Sequence, residues 1–164
     1  MFVRTASDRD IAAIRALLAE TWHATYDAIY GAERIDRTIA LWCSPEKLKA
    51  RIERPDAEFL VADDGNRIGG VAYAESADQG AVVDLEQLHV APDLQGRGIG
   101  GMLLDEVMES FPEARAVRVE VAEANSRAVA FYTANGFVQV GRADNDGPAQ
   151  SGIASLLLER PLIA

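Results

Sequence analysis

The stretch LHVAPDLQGRGIGGMLL (residues 88–104) carries the strongest structural signal in the chain. Four of the six positions from Gly96 to Gly101 are glycine, and an apolar helical pattern follows directly. Each glycine weakens a helix or strand by roughly 0.5–1 kcal/mol relative to alanine, so this cluster indicates that another group approaches the backbone here. A helix N-terminus offers unpaired N–H groups and a positive dipole end, and the stretch therefore predicts an anion-binding turn.

Composition limits the classes of partner. The chain has 164 residues and a formal net charge of −10, which predicts one domain and argues against general binding to nucleic acid. The acidic balance suits a cationic substrate. The apolar runs are too short to span a bilayer and the N-terminus lacks the apolar stretch of a signal peptide. We therefore expect a cytoplasmic protein that binds neither nucleic acid nor membranes.

The chain contains one cysteine, Cys43. A single cysteine rules out an internal disulfide and a cysteine-cluster metal site. Cys43 follows Trp42 on an apolar helical stretch, which indicates a buried, inert thiol rather than a nucleophile.

Local patterns predict a mixed α+β domain rather than a regular βαβ alternation. Ser7 is a predicted N-cap with Asp10 three residues on, Ser44 caps a second helix that starts at Pro45, and Gly136 ends a third. Helices are predicted over residues 7–22, 33–42, 44–54, 100–111 and 125–137, and strands over 2–6, 57–64, 65–76, 81–90, 116–121, 137–143 and 153–162, with a polar loop at 144–152.

Two interpretations of the glycine cluster involve a bound anion, and a third involves no ligand. A phosphate loop of the GxxxxGK[ST] type fails, because no Lys-Ser or Lys-Thr follows. A dinucleotide fingerprint matches at Gly96, Gly98 and Gly101, with Glu120 as the ribose-binding acid. However, APDLQ separates it from its strand, and too little chain follows for a doubly wound sheet. A ligand-free turn explains one glycine at a helix start but not four.

A fourth interpretation covers more of the stretch, which resembles the acyl-CoA signature of the GCN5-related N-acetyltransferase (GNAT) superfamily. That signature is a strand ending in Val-x-Pro, then Gln/Arg-x-x-Gly-x-Gly/Ala, then a helix. The matching residues here are Val90, Pro92, Gln95, Gly98 and Gly100.

A second motif, NSRAVAFYTANGF (residues 125–137), is similar to the Asn-x-x-Ala-x-x-Phe-Tyr-x-x-x-Gly-Phe segment of the same family. A helix and a strand are predicted between the two motifs, as in the family. The resemblance is good over residues 81–140 and looser in the N-terminal part. The matching residues are Asn125, Ala128, Phe131, Tyr132, Gly136 and Phe137.

The resemblance implies a fold and an activity. The expected fold is one N-acetyltransferase domain over residues 1–164, with a central mixed, mostly antiparallel sheet of about seven strands flanked by helices, the acyl-CoA N-acyltransferase fold. The expected activity is acetyl transfer from acetyl-CoA, without a metal, to a primary amine that attacks directly in a ternary complex. A small-molecule amine is favoured over a protein, and a homodimer stays open. The alternatives are a degenerate acyl-CoA-binding sensor and, with less support, an NAD(P)-binding oxidoreductase.

The resemblance also implies which residues hold acetyl-CoA. The glycine turn would bind the pyrophosphate, the end of the fourth strand would pair with pantetheine, and a backbone N–H near Val90 would stabilise the oxyanion. Proton relay by His89 is a further option, although a strand-end histidine is usually structural. The predicted cofactor-binding residues are Leu88, His89, Val90, Gln95, Gly96, Arg97, Gly98, Ile99, Gly100, Asn125 and Tyr132.

The reaction also needs a general acid and a general base. Tyr132 is the predicted general acid for the leaving thiolate. A base is needed because an alkylamine with a pKa near 10.4 is almost wholly protonated at pH 7. Glu120 is favoured, since its distance of twelve residues before Tyr132 is similar to the base-to-tyrosine spacing in ribosomal-protein alanine acetyltransferases. Glu86 is the second choice, and Asp84, Glu123 or a water chain stay open.

Acceptor pockets in this family are built largely from the N-terminal helices. The segment ETWHATYDAIYGAERID places Trp22, His23, Tyr26, Asp27 and Tyr30 in that region. Aromatic and acidic side chains together suit an ammonium ion. The alternative is that the aromatic residues pack the helix onto the sheet.

Overall fold

A computed structural model describes residues 1–145 and 152–162, and these contain seven strands and five α-helices. Most of the predicted polar loop lies outside the described residues. The strands are β1 (Phe2–Thr5), β2 (Ala57–Asp63), β3 (Ile68–Ala77), β4 (Val82–Val90), β5 (Ala116–Ala122), β6 (Val138–Ala143) and β7 (Ser155–Pro161), and the helices are α1 (Ile11–Tyr30), α2 (Ala32–Trp42), α3 (Pro45–Glu53), α4 (Ile99–Ser110) and α5 (Ser126–Ala134).

The strands form one seven-stranded sheet in the order β1-β2-β3-β4-β5-β7-β6. The ladders β1–β2, β2–β3, β5–β7 and β6–β7 are antiparallel. The β4–β5 ladder is parallel and pairs Val82–Leu85 with Ala116–Val119, and β4 then continues to Val90. The predicted fold class, a mixed and mostly antiparallel sheet with helices, is confirmed.

Two compact units make up the chain: the first unit combines Met1–Glu75 with Gln87–Pro112, and the second unit combines Ser76–Glu86 with Glu113–Ala164. The core of the first unit joins α1, α2 and α3 to one face of β2 and β3. Alternation along β3 sends Val71 and Tyr73 to this core, and both are fully buried. The helices supply the apolar side chains Ile14, Leu17, Leu18, Ile35, Ile39 and Leu48.

Both predicted caps in the first unit are confirmed. Ser7 and Asp10 form a capping box at a short 3-10 turn that leads into α1. Both carboxylate oxygens of Asp10 accept hydrogen bonds from the Arg4 guanidinium at 2.9 Å, and this pairing holds the pKa of Asp10 down at about 2. Ser44 Oγ accepts the Lys47 N–H at 3.2 Å, capping α3.

Helix α1 is longer than its sequence pattern predicts, since it runs on to Tyr30 instead of ending near residue 22. The extension is held by Trp22, Tyr26 and Tyr30, which lie four residues apart on one helix face and pack against the core. Gly31, with φ of +87°, ends the helix.

Helix α4 packs against β3 where that strand has no side chain. A Cβ on Gly70 would lie 3.0 Å from Leu103 Cδ1 and 3.1 Å from Ile99 Cγ2, both on α4. It would also lie 3.2 Å from the His89 carbonyl oxygen. This glycine therefore lets the start of α4 and the end of β4 approach β3 closely.

The second unit is built on β5, β7 and β6, with α5 supplying aromatic side chains. Val117, Val119 and Val121 alternate into its core along β5. They are buried with Tyr132 and Phe137. Gly136 follows α5 with φ of +88°, as predicted for a helix stop.

Candidate active site

The glycine turn (residues 95–101) follows β4 in the first unit, and its last three residues form the start of α4. Gly96 and Gly98 have φ of +80° and +86°, a region that side-chain-bearing residues avoid. Gly98 is the N-cap of α4, and it has no side-chain oxygen with which to bond the first N–H groups of the helix. Two of the four glycines are therefore required by the backbone itself.

Space around the glycine turn is open on the side where side chains would project. A Cβ on Gly96, Gly98 or Gly101 would meet no atom within 4 Å among the described residues. The first turn of α4 contains no acidic residue, and the neighbouring Arg97 is exposed. Unpaired N–H groups, the dipole and a cation thus favour an anion at the start of α4.

Gln95 ties the turn to the strand before it. Its side-chain amide donates to the Val90 carbonyl oxygen at 3.1 Å. One residue on, the Ala91 N–H donates to the Gly69 carbonyl oxygen at 2.9 Å, which fixes the end of β4 against β3. Gln95 therefore has a positioning contact of its own, in addition to the cofactor contact that the sequence predicts.

Leu88, His89 and Val90 are half-buried on β4. The His89 Nε2 atom lies 3.1 Å from the indole Nε1 of Trp22 and 2.7 Å from the side-chain oxygen Oε1 of Gln87. Burial lowers the pKa of His89 to about 4. The imidazole is therefore neutral at pH 7.

The predicted residues of the second unit lie on β5, on β4 before Gln87, and on α5. Asn125 caps α5 by accepting the Ala128 N–H at 3.1 Å. The Tyr132 ring is buried and makes edge contacts with Phe131 and Phe137, at centroid distances of 5.2 and 5.1 Å. The cap and the aromatic packing are structural roles, which leave the predicted cofactor and acid roles to be tested.

The candidate bases differ in their partners. Asp84 accepts from Arg118 Nε at 3.0 Å, and Glu123 is paired with Arg142 at 3.0 Å. Both therefore serve as structural ion-pair partners, which makes them weaker choices for the base.

Glu120 and Glu86 lie on one face of the second unit. Asp84 opposes Arg118 in the parallel ladder, so the residues two positions further along each strand, Glu86 and Glu120, point to that same face. Both are exposed. Glu120 accepts a hydrogen bond from the buried Ser155 Oγ at 2.8 Å, which in turn accepts from Asn145 Nδ2 at 3.1 Å. This relay fixes Glu120 and was not predicted, because Ser155 follows Glu120 by 35 positions.

The segment of α1 and α2 that the sequence predicts as the acceptor region contains an ion cluster that the sequence pattern did not reveal. His23 Nδ1 lies 2.6 Å from Asp27 Oδ1, and His23 Nε2 lies 2.7 Å from Asp36 Oδ1. These two carboxylates raise the pKa of His23. The Arg34 guanidinium lies over the Tyr30 ring, 5.0 Å from its centroid. The aromatic residues of α1 do pack the helix onto the core, as the simpler interpretation predicts.

His23 makes stability depend on pH in a defined direction. A folded-state pKa above the unfolded value of about 6.5 contributes stability that is fully present below pH 6.5 and is lost as pH rises through the raised pKa. We expect the difference in unfolding free energy between wild type and His23→Gln to shrink over that alkaline window. Urea unfolding of both proteins at several pH values measures it. The lowered pKa of His89 affects both proteins equally, so its effect on stability cancels in the difference. A difference in unfolding free energy that grows with pH would contradict a raised pKa for His23.

Two other features are structural. Cys43 is fully buried, which confirms the predicted burial, and burial raises the pKa of its thiol, which disfavours a reactive thiolate. A cavity of about 500 Å³ lies between α1 and the β2–β3 turn. Its Arg4 pairs with Asp10 and Asp63, and its lining among the described residues includes none of the glycine turn. Neither feature is assigned to the active site.

A strand end joined through a glycine turn to a helix N-terminus, in a mixed seven-stranded sheet, is the arrangement of an acyl-CoA-binding transferase. The model of the acetyltransferase (GNAT) family matches residues 12–137. The chain belongs to this family and is an N-acetyltransferase. The predicted recognition and enzyme class are thus confirmed.

Relatives and solved structures agree with this assignment. Spermidine N(1)-acetyltransferase of Thermoplasma acidophilum is 31% identical over 82% of this chain and 86% of its own length. A probable N-acetyltransferase of Mycobacterium tuberculosis is 27% identical over 85% of this chain and 81% of its own. The crystal structure of the PaiA N-acetyltransferase of T. acidophilum, in complex with coenzyme A, superposes with a TM-score of 0.85, 25% identity and coverage of 98% of both chains. In the described part of the chain, no helix combines the length and apolarity needed to cross a membrane.

Proposed function

We propose that the protein transfers the acetyl group of acetyl-CoA to a primary amine of a small cationic molecule, by direct attack in a ternary complex, within a single N-acetyltransferase domain over residues 1–164. The glycine turn carries this proposal. Its two positive-φ glycines and the open space beside them suit a pyrophosphate at the start of α4. A relative of the same fold was crystallised with coenzyme A.

The end of β4 would hold the rest of the cofactor. The ladder with β5 pairs Val82–Leu85, and Leu88 to Val90, at the far end of the strand, are assigned to pantetheine. The Val90 N–H is assigned to the tetrahedral oxyanion. Gln95 and Arg97 complete the turn, and Asn125 holds the cofactor's arm while it caps α5.

Proton transfer is assigned to two groups of the second unit. The Tyr132 hydroxyl protonates the leaving thiolate, and Glu120 accepts a proton from the amine, directly or through water, with Glu86 as the alternative. Support for Glu120 comes from its fixed position beside Ser155. The ion pairs of Asp84 and Glu123 argue against those two. Cys43 is buried, so it does not offer a nucleophile for an acyl-enzyme.

A cationic acceptor fits the charges of this chain. The net charge is −10. The helices α1 and α2, which also carry the aromatic residues of the predicted acceptor segment, contain four acidic residues; Asp27 and Asp36 bond to His23 and Glu33 pairs with Arg37, whereas Glu20 lines the cavity beside α1. The spermidine N(1)-acetyltransferase among the relatives supports a polyamine as the first acceptor to test. A peptidyl-lysine N-acetyltransferase of Salmonella typhimurium, 36% identical over 38% of this chain, makes a lysine peptide the second.

Thermal unfolding tests the cofactor. At a concentration near 100 times its dissociation constant, acetyl-CoA should stabilise the protein by about 2.7 kcal/mol, which raises Tm by roughly 5–11 °C for a chain of this size. NAD should leave Tm unchanged. A shift with NAD and none with acetyl-CoA would overturn the proposal in favour of an oxidoreductase.

Thiol release with a panel of amines tests the acceptor. Spermidine, a lysine peptide and a neutral amino-acid amide are compared at equal concentration. The proposal predicts the highest kcat/KM for the polyamine. Stabilisation by acetyl-CoA without thiol release for any amine would identify a sensor instead of an enzyme.

A further inference from the structure

Three polar side chains meet at the end of β4, in the first unit. Trp22 of α1 places its indole Nε1 3.1 Å from His89 Nε2, with the two rings edge to face and their centroids 6.0 Å apart. The Gln87 side-chain oxygen Oε1 is placed 2.7 Å from the same nitrogen. Trp22 and His89 are 67 residues apart in sequence, so the contact joins α1 to β4.

Donor and acceptor chemistry restricts the protonation of this cluster. The indole N–H of tryptophan donates and never accepts, so Nε2 of His89 must offer its lone pair to Trp22. The proton of the neutral ring then lies on Nδ1. As placed, Gln87 Oε1 would face that lone pair. The two ends of the amide have the same shape, so a half-turn of the amide brings its NH₂ group toward Nε2, where it shares the single lone pair with the indole N–H.

The opposite tautomer leaves the indole N–H without its acceptor. A proton on Nε2 would donate to the Gln87 oxygen but would face the indole N–H, which would then lose its acceptor. Leaving this half-buried donor unpaired is unfavourable. A doubly protonated ring would also leave the indole N–H without an acceptor. The lowered pKa of His89 likewise disfavours this form.

We propose that Trp22 is a positioning residue for acetyl transfer: its indole N–H holds His89 as a neutral ring with Nε2 unprotonated and thereby fixes the end of β4. This rests on the proposed function, which assigns Leu88–Val90 to acetyl-CoA and the Val90 N–H to the oxyanion. In this arrangement neither ring nitrogen can take the proton of the amine, since one lone pair is engaged and the other nitrogen is protonated. His89 is therefore not a proton relay.

A second contact of α1 comes from the residue next to Trp22. His23, next to Trp22 on α1, bonds to Asp36 of α2. Two adjacent side chains thus tie α1 to the end of β4 on one side and to α2 on the other. The helices assigned to the acceptor are in this way linked to the strand assigned to the cofactor.

Nitrogen-15 NMR of the histidine rings tests the proposal directly. The chain contains two histidines, His23 and His89, so His23→Gln assigns both sets of signals. Between pH 5.5 and 8.5 we expect His89 to show an unprotonated Nε2 and a protonated Nδ1, with no titration. In Trp22→Phe the tautomer preference should weaken and the ring should begin to titrate within this range. A protonated Nε2 in wild type, or a His89 spectrum unaffected by Trp22→Phe, would overturn the proposal.

Kinetics supply the functional half of the test. We expect Trp22→Phe to lower kcat roughly 2- to 12-fold, the range for loss of one neutral hydrogen bond. Trp42→Phe makes the same change at a residue that is 44% exposed, and it should leave kcat unchanged.

An unchanged kcat in a Trp22→Phe protein whose His89 spectrum has changed would refute the positioning role. If wild type acetylates no amine, the proposed function fails, whereas the spectra still decide the state of His89. Should Trp22→Phe not fold, the wild-type spectrum alone decides it.

Discussion

Tyr132→Phe is expected to keep its fold and to lose roughly 10- to 1,000-fold in kcat, near the usual contribution of one general acid. The substitution keeps the ring, whose edge contacts with Phe131 and Phe137 stabilise the second unit, and removes only the hydroxyl. KM for acetyl-CoA should change much less, because the lost interaction belongs mainly to the transition state. A model thiol has a pKa near 8.5, so the thiolate departs with modest help and the loss should stay below that for a poorer leaving group.

Tyr73→Phe is the matched control for that experiment. Tyr73 is also buried, and its hydroxyl donates to Glu75. Loss of the Tyr73 hydroxyl should lower the free energy of unfolding but leave kcat unchanged. Steady-state kinetics with saturating amine measure both variants, and wild-type kinetics in Tyr132→Phe would rule out the assigned acid.

The pH dependence of the same reaction separates the two candidate bases. We expect Glu120→Gln to flatten the acidic limb of kcat/KM, because a glutamine cannot accept the proton of the amine. Glu86→Gln should keep that limb. The opposite result would transfer the role to Glu86, and an acidic limb kept in both would point to Asp84, Glu123 or a water chain.

Gly98→Val is expected to abolish detectable binding of acetyl-CoA. Its branched side chain would project into the open space beside the glycine turn, where the pyrophosphate is proposed to lie. Loss of two charge-assisted hydrogen bonds would weaken affinity roughly 100- to 10,000-fold. The variant also forces a branched residue to adopt φ of +86°, a strain of about 1–3 kcal/mol.

Gly65→Val controls for that strain. Gly65, in the β2–β3 turn, has φ of +97° and open space around its Cβ position. Both variants should therefore lose similar stability, and only Gly98→Val should lose the cofactor. Calorimetric titration with acetyl-CoA at a temperature where both are folded makes the comparison. Equal affinity in the two folded variants would reduce the glycine turn to a structural connection.

The features that the sequence predicted depend on short-range patterns. The caps at Ser7 and Ser44 and the helix stop at Gly136 follow from residues three or four positions apart. The glycine turn is equally local, and its resemblance to a family extends that local signal to a fold. The end of α1 was missed because its extension depends on packing of Tyr26 and Tyr30 against the core.

Contacts between distant strands and helices escaped prediction for the same reason. The pairing of Asp84 with Arg118 depends on the register of β4 and β5. The bond from Ser155 to Glu120 depends on the position of β7 beside β5. No pattern in the residues around Trp22 identifies His89 as its partner. These contacts weaken Asp84 as a candidate base and favour Glu120, and the contact with Trp22 underlies the proposal that His89 is not a proton relay.

Mass balance after one mixing experiment tests the central claim most directly. The protein is incubated with acetyl-CoA and spermidine, and the acetylated amine, the free CoA and the intact protein are then measured by mass spectrometry. We predict acetylated amine and CoA in equal amounts, with the protein mass unchanged at every time point. An acetylated protein formed before the product, or the absence of acetylated amine with this and every other amine of the panel, would contradict direct transfer by this enzyme.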